Sequence, residues 1–147
     1  MLLLGIDLGT SSIKVSVVDV ATQQSIAATR YPETETEILA PLPGWAEQDP
    51  ETWWHFVQQA ILKLHAQKTY NPKDIAAIGI AYQMHGLVLV DNHKQCLRNS
   101  IIWCDSRAVD LGDKAFETIG KEKCLRHLLN SPGNFTASKL AWVKQNE

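Results

Sequence analysis

Three short apolar segments at the start of the chain constrain its fold more than any other sequence feature. They cover residues 2–8, 13–20 and 25–31, with only a few polar residues between them. A parallel pair of strands needs a crossover of roughly a dozen or more residues, so strands this close along the chain must pair antiparallel. The sequence therefore predicts a sheet that begins as three antiparallel strands.

A helix is predicted after an acidic, irregular surface loop over residues 32–43. Asp49 is a favourable N-cap, and Pro50 suits the first helical position. Such a start, followed by apolar residues at helical spacing on one face, indicates an amphipathic helix. Those residues are Trp53, Val57, Ala60, Ile61 and Leu64.

The second half of the chain continues an α/β pattern. Residues 75–81 form a short apolar run bounded by turn signals, which is typical of a strand buried on both faces. Asp105 is predicted to cap a helix that runs to about Ile119. The remaining predictions are a small hairpin through residues 87–97, a short strand at residues 100–103, a helix at residues 121–129 and a last helix from Thr136.

The final residues, LAWVKQNE, continue a helical pattern without a Gly or Pro stop signal. A domain truncated at Glu147 would explain this pattern, and so would a helix that frays at its end. The pattern alone leaves both interpretations open.

Composition narrows the class of protein. The chain has 147 residues, of which 45% are hydrophobic and 20% charged, and its net charge is −2. This balance argues against nucleic acid or an anionic membrane as the main partner. Cys96, Cys104 and Cys124 form no C-x-x-C pair, and the short apolar start fits neither a signal peptide nor a membrane span. We therefore expect reduced thiols in a cytoplasmic protein.

The segment GIDLGTSS, residues 5–12, ends an apolar strand with a carboxylate and follows it with a glycine turn rich in hydroxyls. Such a turn can direct backbone N–H groups and the hydroxyls of Thr10, Ser11 and Ser12 at phosphate oxygens. An acid beside phosphates needs a cation between the negative charges, so Asp7 is a candidate Mg²⁺ ligand through water. The alternative is an ordinary hairpin turn in which Asp7 and Thr10 bond their own backbone.

The segment YQMHG, residues 82–86, interrupts two apolar runs directly after a predicted strand. Ligands of open α/β sheets bind beyond the carboxyl ends of strands. Gln83 and His85 can each donate and accept hydrogen bonds, which suits a polyhydroxyl ligand, and Met84 offers an adaptable apolar surface. The alternative is a tight turn, permitted by Gly86, whose histidine packs against the protein surface.

The segment IIWCDSR, residues 101–107, is a third candidate. Trp103 could stack on the apolar face of a sugar, and Asp105 could accept hydrogen bonds from its hydroxyls. The alternative makes Trp103 a core residue and Asp105 a helix N-cap. No Walker A loop, G-x-G-x-x-G, H-E-x-x-H or zinc-type cysteine spacing occurs in the chain, and no Ser/His/Asp triad can be assigned.

Taken together, these segments resemble a known family. GIDLGTSSIKVSVVD resembles the first phosphate hairpin of the actin-like, ribonuclease H-like ATPases. GWAEQDPETWW, GIAYQMHGLVLVD, LRNSIIWCDSRA and SPGNFTASKLAWVKQNE then resemble, in order, the amino-terminal domain of the FGGY carbohydrate kinases. The Gln-Met-His-Gly segment is similar to the xylulokinase branch of that family, whereas Tyr82 before it departs from many members of the branch.

The resemblance implies an α/β, ribonuclease H-like domain with a three-stranded antiparallel start, helices and a buried parallel strand. It implies ATP and Mg²⁺ as cofactors, with Asp7 and the turn Gly9, Thr10, Ser11 and Ser12 on the phosphate side. The implied substrate is a ketopentose, D-xylulose, contacted by Gln83, Met84, His85, Trp103 and Asp105.

The same resemblance implies that residues 1–147 are only the first part of the sugar-binding domain, without the adenine-binding domain that follows. The family's catalytic aspartate lies in a later Gly-Asp segment that nothing in this chain matches, so the fragment alone is expected to be inactive. The oligomeric state is left open, with a homodimer as one candidate.

Three other interpretations remain. Within the kinases, the substrate could be another sugar, sugar acid or polyol. A non-catalytic sugar-binding regulatory protein on a kinase-like half would bind pentose without ATP chemistry. A nucleotide-binding module related to actin or to chaperone ATPases would have no sugar site, and replacing His85 would leave its ligand binding unchanged.

Overall fold

A computed structural model describes all residues, 1–147, and divides them into two compact units. Unit 1 comprises Met1–Glu37 and Glu51–Gln83, and unit 2 comprises Ile38–Pro50 and Met84–Glu147. None of the helices combines the length and the apolar character that crossing a bilayer requires.

Unit 1 is built on a four-stranded sheet whose strands lie in the order β3 (Gln24–Tyr31), β2 (Ile13–Asp19), β1 (Leu2–Leu8) and β5 (Ile75–Tyr82). Strands β1, β2 and β3 pair antiparallel, which confirms the predicted start. Strand β5 joins the other side of β1 in parallel, which confirms the parallel strand. The helix α1 (Pro50–His65) provides the crossover that a parallel pair needs.

The core of unit 1 lies between one face of this sheet and α1. Side chains alternate across a strand, so one set of β1 and β2 residues faces the helix, and the alternate set, which includes Asp7 and Lys14, lies on the opposite face. The predicted apolar face of α1 is confirmed, because Val57, Ala60 and Leu64 are buried in this core. Their partners from the sheet are Leu4, Ile6, Ile13, Val15, Val17 and Ala27.

Strand β5 differs from its prediction in one respect. Every residue after Ile75 is exposed, including Ile78 and Ile80, which are each 60% exposed. The prediction of a strand buried on both faces is therefore wrong for this chain. The physical reason is its place at the edge of the sheet, where β1 is its one neighbour.

Unit 2 contains a small two-stranded sheet and three helices. Strands β4 (Glu47–Gln48) and β6 (Ser100–Ile101) pair antiparallel. The predicted hairpin around residues 87–97 is present as a single bridge between Val90 and Cys96 and does not form two regular strands. Helices α3 (Lys121–Leu128) and α4 (Thr136–Asn146) confirm their predictions, and a short 3₁₀ helix, Pro132–Asn134, precedes α4.

Helix α2 (Val109–Ile119) begins later than predicted. Its N-cap is Ala108, so the prediction that Asp105 caps this helix is wrong. Asp105 instead lies in the turn before the helix, and its carboxylate is engaged by Arg107 and a backbone N–H, as described below. Gly112 of α2 packs against the backbone of Gly133, so closely that a Cβ at Gly112 would lie 2.2 Å from the Gly133 Cα atom.

Candidate functional site

The phosphate-side residues lie at the turn between β1 and β2 in unit 1. Asp7 is paired in register with Lys14 of β2 and Ala81 of β5. The turn after β1 is tight, because a Cβ built on Gly9 would approach the Ser12 carbonyl oxygen to 2.8 Å. Only glycine fits this approach without a backbone shift, so Gly9 is explained by geometry alone.

Two hydrogen bonds attach the end of β5 to this turn. The Gln83 backbone N–H donates to the Leu8 carbonyl at 3.2 Å, and the Thr10 hydroxyl donates to the Gln83 side-chain oxygen at 3.2 Å. Thr36 adds a contact from the next loop, because both its N–H and its hydroxyl donate to the Ser11 carbonyl. The structure thus brings Gln83, predicted as a sugar contact, next to the predicted phosphate turn.

Asp7 is half-exposed and forms an ion pair with Lys14, whose Nζ lies 3.3 Å from its Oδ2 atom. No group of three or more His, Cys, Asp or Glu side chains that could hold a metal occurs in the chain. A magnesium ion that carries nucleotide phosphates needs only one or two carboxylates, because phosphate oxygens and water supply its other ligands. Asp7 fits such a role, and the ammonium of Lys14 adds a positive charge beside it.

The sugar-side turn opens unit 2 at Met84. His85 has a left-handed backbone conformation, with φ +64°. Its imidazole stacks on the Phe135 ring, with centroids 4.6 Å apart and planes inclined by 13°. Met84 is 65% exposed. The turn therefore presents an apolar thioether to solvent next to a histidine whose ring orientation is defined by packing.

A buried lysine holds this turn from behind. Lys139 of α4 is completely buried, and its Nζ donates to the His85 carbonyl at 3.0 Å. It also donates to the Asn134 carbonyl and to the Asn134 side-chain oxygen, each at 2.8 Å. Burial lowers the pKa of Lys139 from 10.5 to about 8, although the carboxylate of Asp105 opposes this effect. The Thr136 hydroxyl adds a hydrogen bond to the Gly86 carbonyl at 3.2 Å.

Trp103 and Asp105 occupy different environments. Trp103 is 48% exposed, so the alternative that made it a core residue is wrong. The amide nitrogen of Asn134 donates to the Trp103 backbone carbonyl. Asp105 is buried, and the Arg107 guanidinium and the Ala46 N–H donate to its carboxylate. Its contact with a substrate stays a prediction.

The Asp105 carboxylate belongs to a buried ionic cluster. Arg107 Nη2 lies 2.8 Å from Asp105 Oδ2 and 2.7 Å from Glu47 Oε1. The Arg107 guanidinium also lies over the Trp45 ring, 3.7 Å from its centroid, which adds a cation–π contact. Arg98 supplies a second cation to Glu47 at 2.6 Å. The cluster therefore links the segment that carries Trp103 to Glu47 of β4.

Sequence reasoning missed four residues near the predicted sites: Lys14, Asn134, Phe135 and Lys139. Lys14 could have been found, because it faces Asp7 across a hairpin whose register follows from the short turn. The other three come from a segment distant in sequence from His85, and no local pattern links them. A lysine within the apolar face of a helix was the one available signal for Lys139.

Comparisons with known proteins all indicate the same family. The model of the FGGY family of carbohydrate kinases, N-terminal domain, matches residues 2–147. The chain is 36% identical over 144 residues to a xylulose kinase of Escherichia coli (strain K12). The aligned region covers 98% of this chain and 28% of that protein. The chain therefore spans about 28% of the length of that curated relative.

Solved structures show the same likeness. A xyloylose kinase from Brucella ovis superposes with a TM-score of 0.84 and 35% identity, covering 99% of this chain and 30% of that chain. A gluconate kinase from Lactobacillus acidophilus superposes with a TM-score of 0.81 and 27% identity, covering 99% and 28%. These neighbours have the predicted actin-like, ribonuclease H-like fold.

Proposed function

Because the chain belongs to the FGGY family of carbohydrate kinases, we propose that it forms the amino-terminal part of an ATP-dependent xylulose kinase. The reaction would convert D-xylulose to D-xylulose 5-phosphate in pentose catabolism, in the cytoplasm. The observation that supports this substrate is the 36% identity to the Escherichia coli xylulose kinase across 98% of the chain. The Gln-Met-His-Gly segment, residues 83–86, points to the same branch.

The phosphate side of the proposed site is the turn from Gly9 to Ser12 with Asp7 and Lys14. Backbone N–H groups in such a turn, together with the hydroxyl of Ser11, can bind phosphate oxygens of ATP, and the Thr10 hydroxyl could do so once it exchanges its hydrogen bond to Gln83 for one to phosphate. Mg²⁺ held by Asp7 would neutralise charge on those oxygens during phosphoryl transfer. Lys14 would orient the Asp7 carboxylate through the 3.3 Å ion pair.

Met84, His85 and Trp103 of unit 2 are the proposed sugar contacts, and Gln83 of unit 1 is a further proposed contact. His85 can donate one hydrogen bond to a sugar hydroxyl and accept another, and Trp103 offers an apolar face. Asp105 has a structural role in this proposal, because its carboxylate oxygens already accept hydrogen bonds from Arg107 and Ala46. It would hold the segment that presents Trp103.

The proton of the attacking hydroxyl must pass to a base as the phosphoryl group is transferred. We propose that this base is an aspartate outside residues 1–147, as the family resemblance implies, and that a further domain binds the adenine. Residues 1–147 alone would then show no D-xylulose-dependent ATP turnover in a coupled assay. Turnover by the isolated fragment above that of a boiled sample would contradict this arrangement.

Sugar acids are a second candidate substrate class, because the gluconate kinase from Lactobacillus acidophilus superposes over 99% of the chain. A sugar acid carries a carboxylate, which would need a cation at its binding site. In unit 2 the Lys139 ammonium is buried and already donates to three oxygens, and the Arg107 guanidinium is committed to Glu47 and Asp105. These commitments favour a neutral ketose over an acid.

The test is a substrate panel with the full-length polypeptide encoded by the gene. Initial rates of ADP formation would be measured with D-xylulose, D-gluconate and glycerol at matched concentrations. We expect kcat/KM for D-xylulose to exceed the other two by at least about a hundredfold, or roughly 2.7 kcal/mol of transition-state discrimination. A higher kcat/KM for D-gluconate or glycerol would contradict the proposed substrate.

A further inference from the structure

Lys139 is the largest completely buried side chain of the protein. Lysine is rarely buried completely unless its ammonium group has partners. Taking an ammonium group out of water is costly unless hydrogen bonds replace its hydration. Lys139 meets this requirement, because its three N–H donors have three oxygen acceptors, one on His85 and two on Asn134. The lysine is therefore positioned to bind backbone and side-chain oxygens at a defined place.

The turn that it binds is one that needs support. A non-glycine residue with φ near +60° has a strained backbone, and such residues persist where surrounding contacts define them. His85 has φ +64°, and three contacts converge on its turn from the start of α4. These are Lys139 to the His85 carbonyl, Phe135 against the His85 ring, and Thr136 to the Gly86 carbonyl.

Asn134 extends this support to the second predicted sugar segment. Its side-chain oxygen accepts a hydrogen bond from Lys139, while its amide nitrogen donates to the Trp103 carbonyl. A single amide thus links the His85 turn to the Trp103 segment through Lys139. The bridge between Leu87 and Ile101 joins the two segments at one end, and Asn134 adds a side-chain link close to His85 and Trp103, which lie 18 positions apart in the chain.

We propose that Lys139 is a positioning residue which, through Asn134, holds the His85 turn and the Trp103 segment together as one preformed sugar-binding wall. The substrate in this inference rests on the proposed function. Lys139 itself touches no sugar, because it is completely buried and its three donors are already occupied. Its effect would pass through the backbone carbonyls that it binds.

The first test replaces the ammonium in the full-length polypeptide. Lys139→Met keeps the approximate length of the side chain and removes its donors, and Lys144→Met changes an exposed lysine of the same helix. We expect K139M to raise KM for D-xylulose by about ten- to a hundredfold, with KM for ATP within about twofold of wild type. K144M should match wild type for both substrates. Equal increases in both KM values for K139M would contradict a positioning role.

A second measurement does not depend on activity. Amide hydrogen exchange, followed by mass spectrometry, should be faster in K139M than in wild type at residues 84–87, and unchanged in the β1–β2 turn of unit 1. If the wild-type protein phosphorylates no sugar, the proposed function fails, whereas this exchange pattern still decides whether Lys139 orders the His85 turn. Unchanged exchange at residues 84–87 would overturn the inference.

Asn134→Asp separates the two halves of the link and serves if K139M does not fold. The aspartate keeps an oxygen for Lys139 but lacks the amide that donates to the Trp103 carbonyl. Exchange should therefore increase around residues 103–105 and stay as in wild type at residues 84–87, with a rise in KM for D-xylulose alone. Exchange that is unchanged at both segments would contradict the bridge.

Discussion

The guanidinium of Arg107 grips the carboxylate of Asp105 inside unit 2, with Nε 3.0 Å from each carboxylate oxygen and Nη2 2.8 Å from Oδ2. Both side chains are almost fully excluded from solvent, at 1% and 0% exposure. A buried ion pair contributes little more to the free energy of unfolding than a well-packed apolar pair would. Removing one partner, however, leaves the other charge buried without a counter-charge. The energetic role of Asp105 is therefore to neutralise Arg107 at the foot of the Trp103 segment.

Asp105→Asn should lower the free energy of unfolding by about 3–5 kcal/mol, because it leaves Arg107 with a single carboxylate, that of Glu47. Equilibrium urea denaturation followed by circular dichroism would measure this loss. Glu117→Gln, an exposed change in α2, is the control and should lie within about 0.5 kcal/mol of wild type. A loss below about 1 kcal/mol for D105N would show that the ionic cluster does not stabilise unit 2.

Gly112→Ala should also destabilise the protein, for a steric reason. The added Cβ would meet the Gly133 Cα at 2.2 Å and the Pro132 carbonyl oxygen at 2.6 Å, so α2 would have to move from the 3₁₀ turn. We expect a loss of about 1–3 kcal/mol, typical of overpacking. Gly79→Ala is the matched control, since a Cβ there has no neighbour within 4 Å. Equal stabilities of the two variants would contradict the close packing of α2.

Because the pKa of Lys139 is lowered in the folded protein, stability should depend on pH. Its pKa is about 8 in the folded protein and 10.5 in the reference state. Below the folded pKa both states carry the proton, so stability does not change with pH. Between the two pKa values the unfolded chain binds more protons than the folded one, and the free energy of unfolding rises with pH.

The comparison that isolates this effect is wild type against Lys139→Met, at pH 7 and pH 10. The wild-type protein should gain up to about 3 kcal/mol over the variant between these values, because the variant lacks the titrating group. Urea denaturation at each pH gives the difference, and other groups that titrate in this range cancel. A difference that stays constant or falls would mean that the lysine is not desolvated.

Much of unit 1 could be predicted from sequence, because its information is local. The short spacing of the first three strands forces antiparallel pairing, and Pro50 with the apolar positions of α1 defines a helix and its face. The exposure of β5 could not be predicted, since its sequence indicates a strand but not whether another element covers that strand. Residues such as Ile78 are equally apolar whether a sheet continues beyond them or ends there.

The candidate site divides in the same way. Asp7, Gly9 and His85 stand out because local chemistry marks them: a carboxylate after a strand, a glycine in a tight turn, an imidazole between apolar runs. Lys139 and Asn134 act on His85 and Trp103 over long sequence separations, and only the fold brings them together. Asp105 shows another case, since its predicted role as a helix cap gave way to an ion pair with Arg107, two residues away, and to a hydrogen bond from the distant Ala46 N–H.

We propose that His85 belongs to the sugar-binding wall of a xylulose kinase. This proposal is tested most directly by the initial rate of D-xylulose 5-phosphate formation in the full-length polypeptide and its His85→Asn variant. Asparagine tolerates the left-handed backbone of this position but lacks the imidazole. We predict sugar-dependent product in wild type and a KM for D-xylulose raised by about tenfold or more in H85N, with KM for ATP unchanged. No product from wild type, or identical KM values for D-xylulose, would contradict the account.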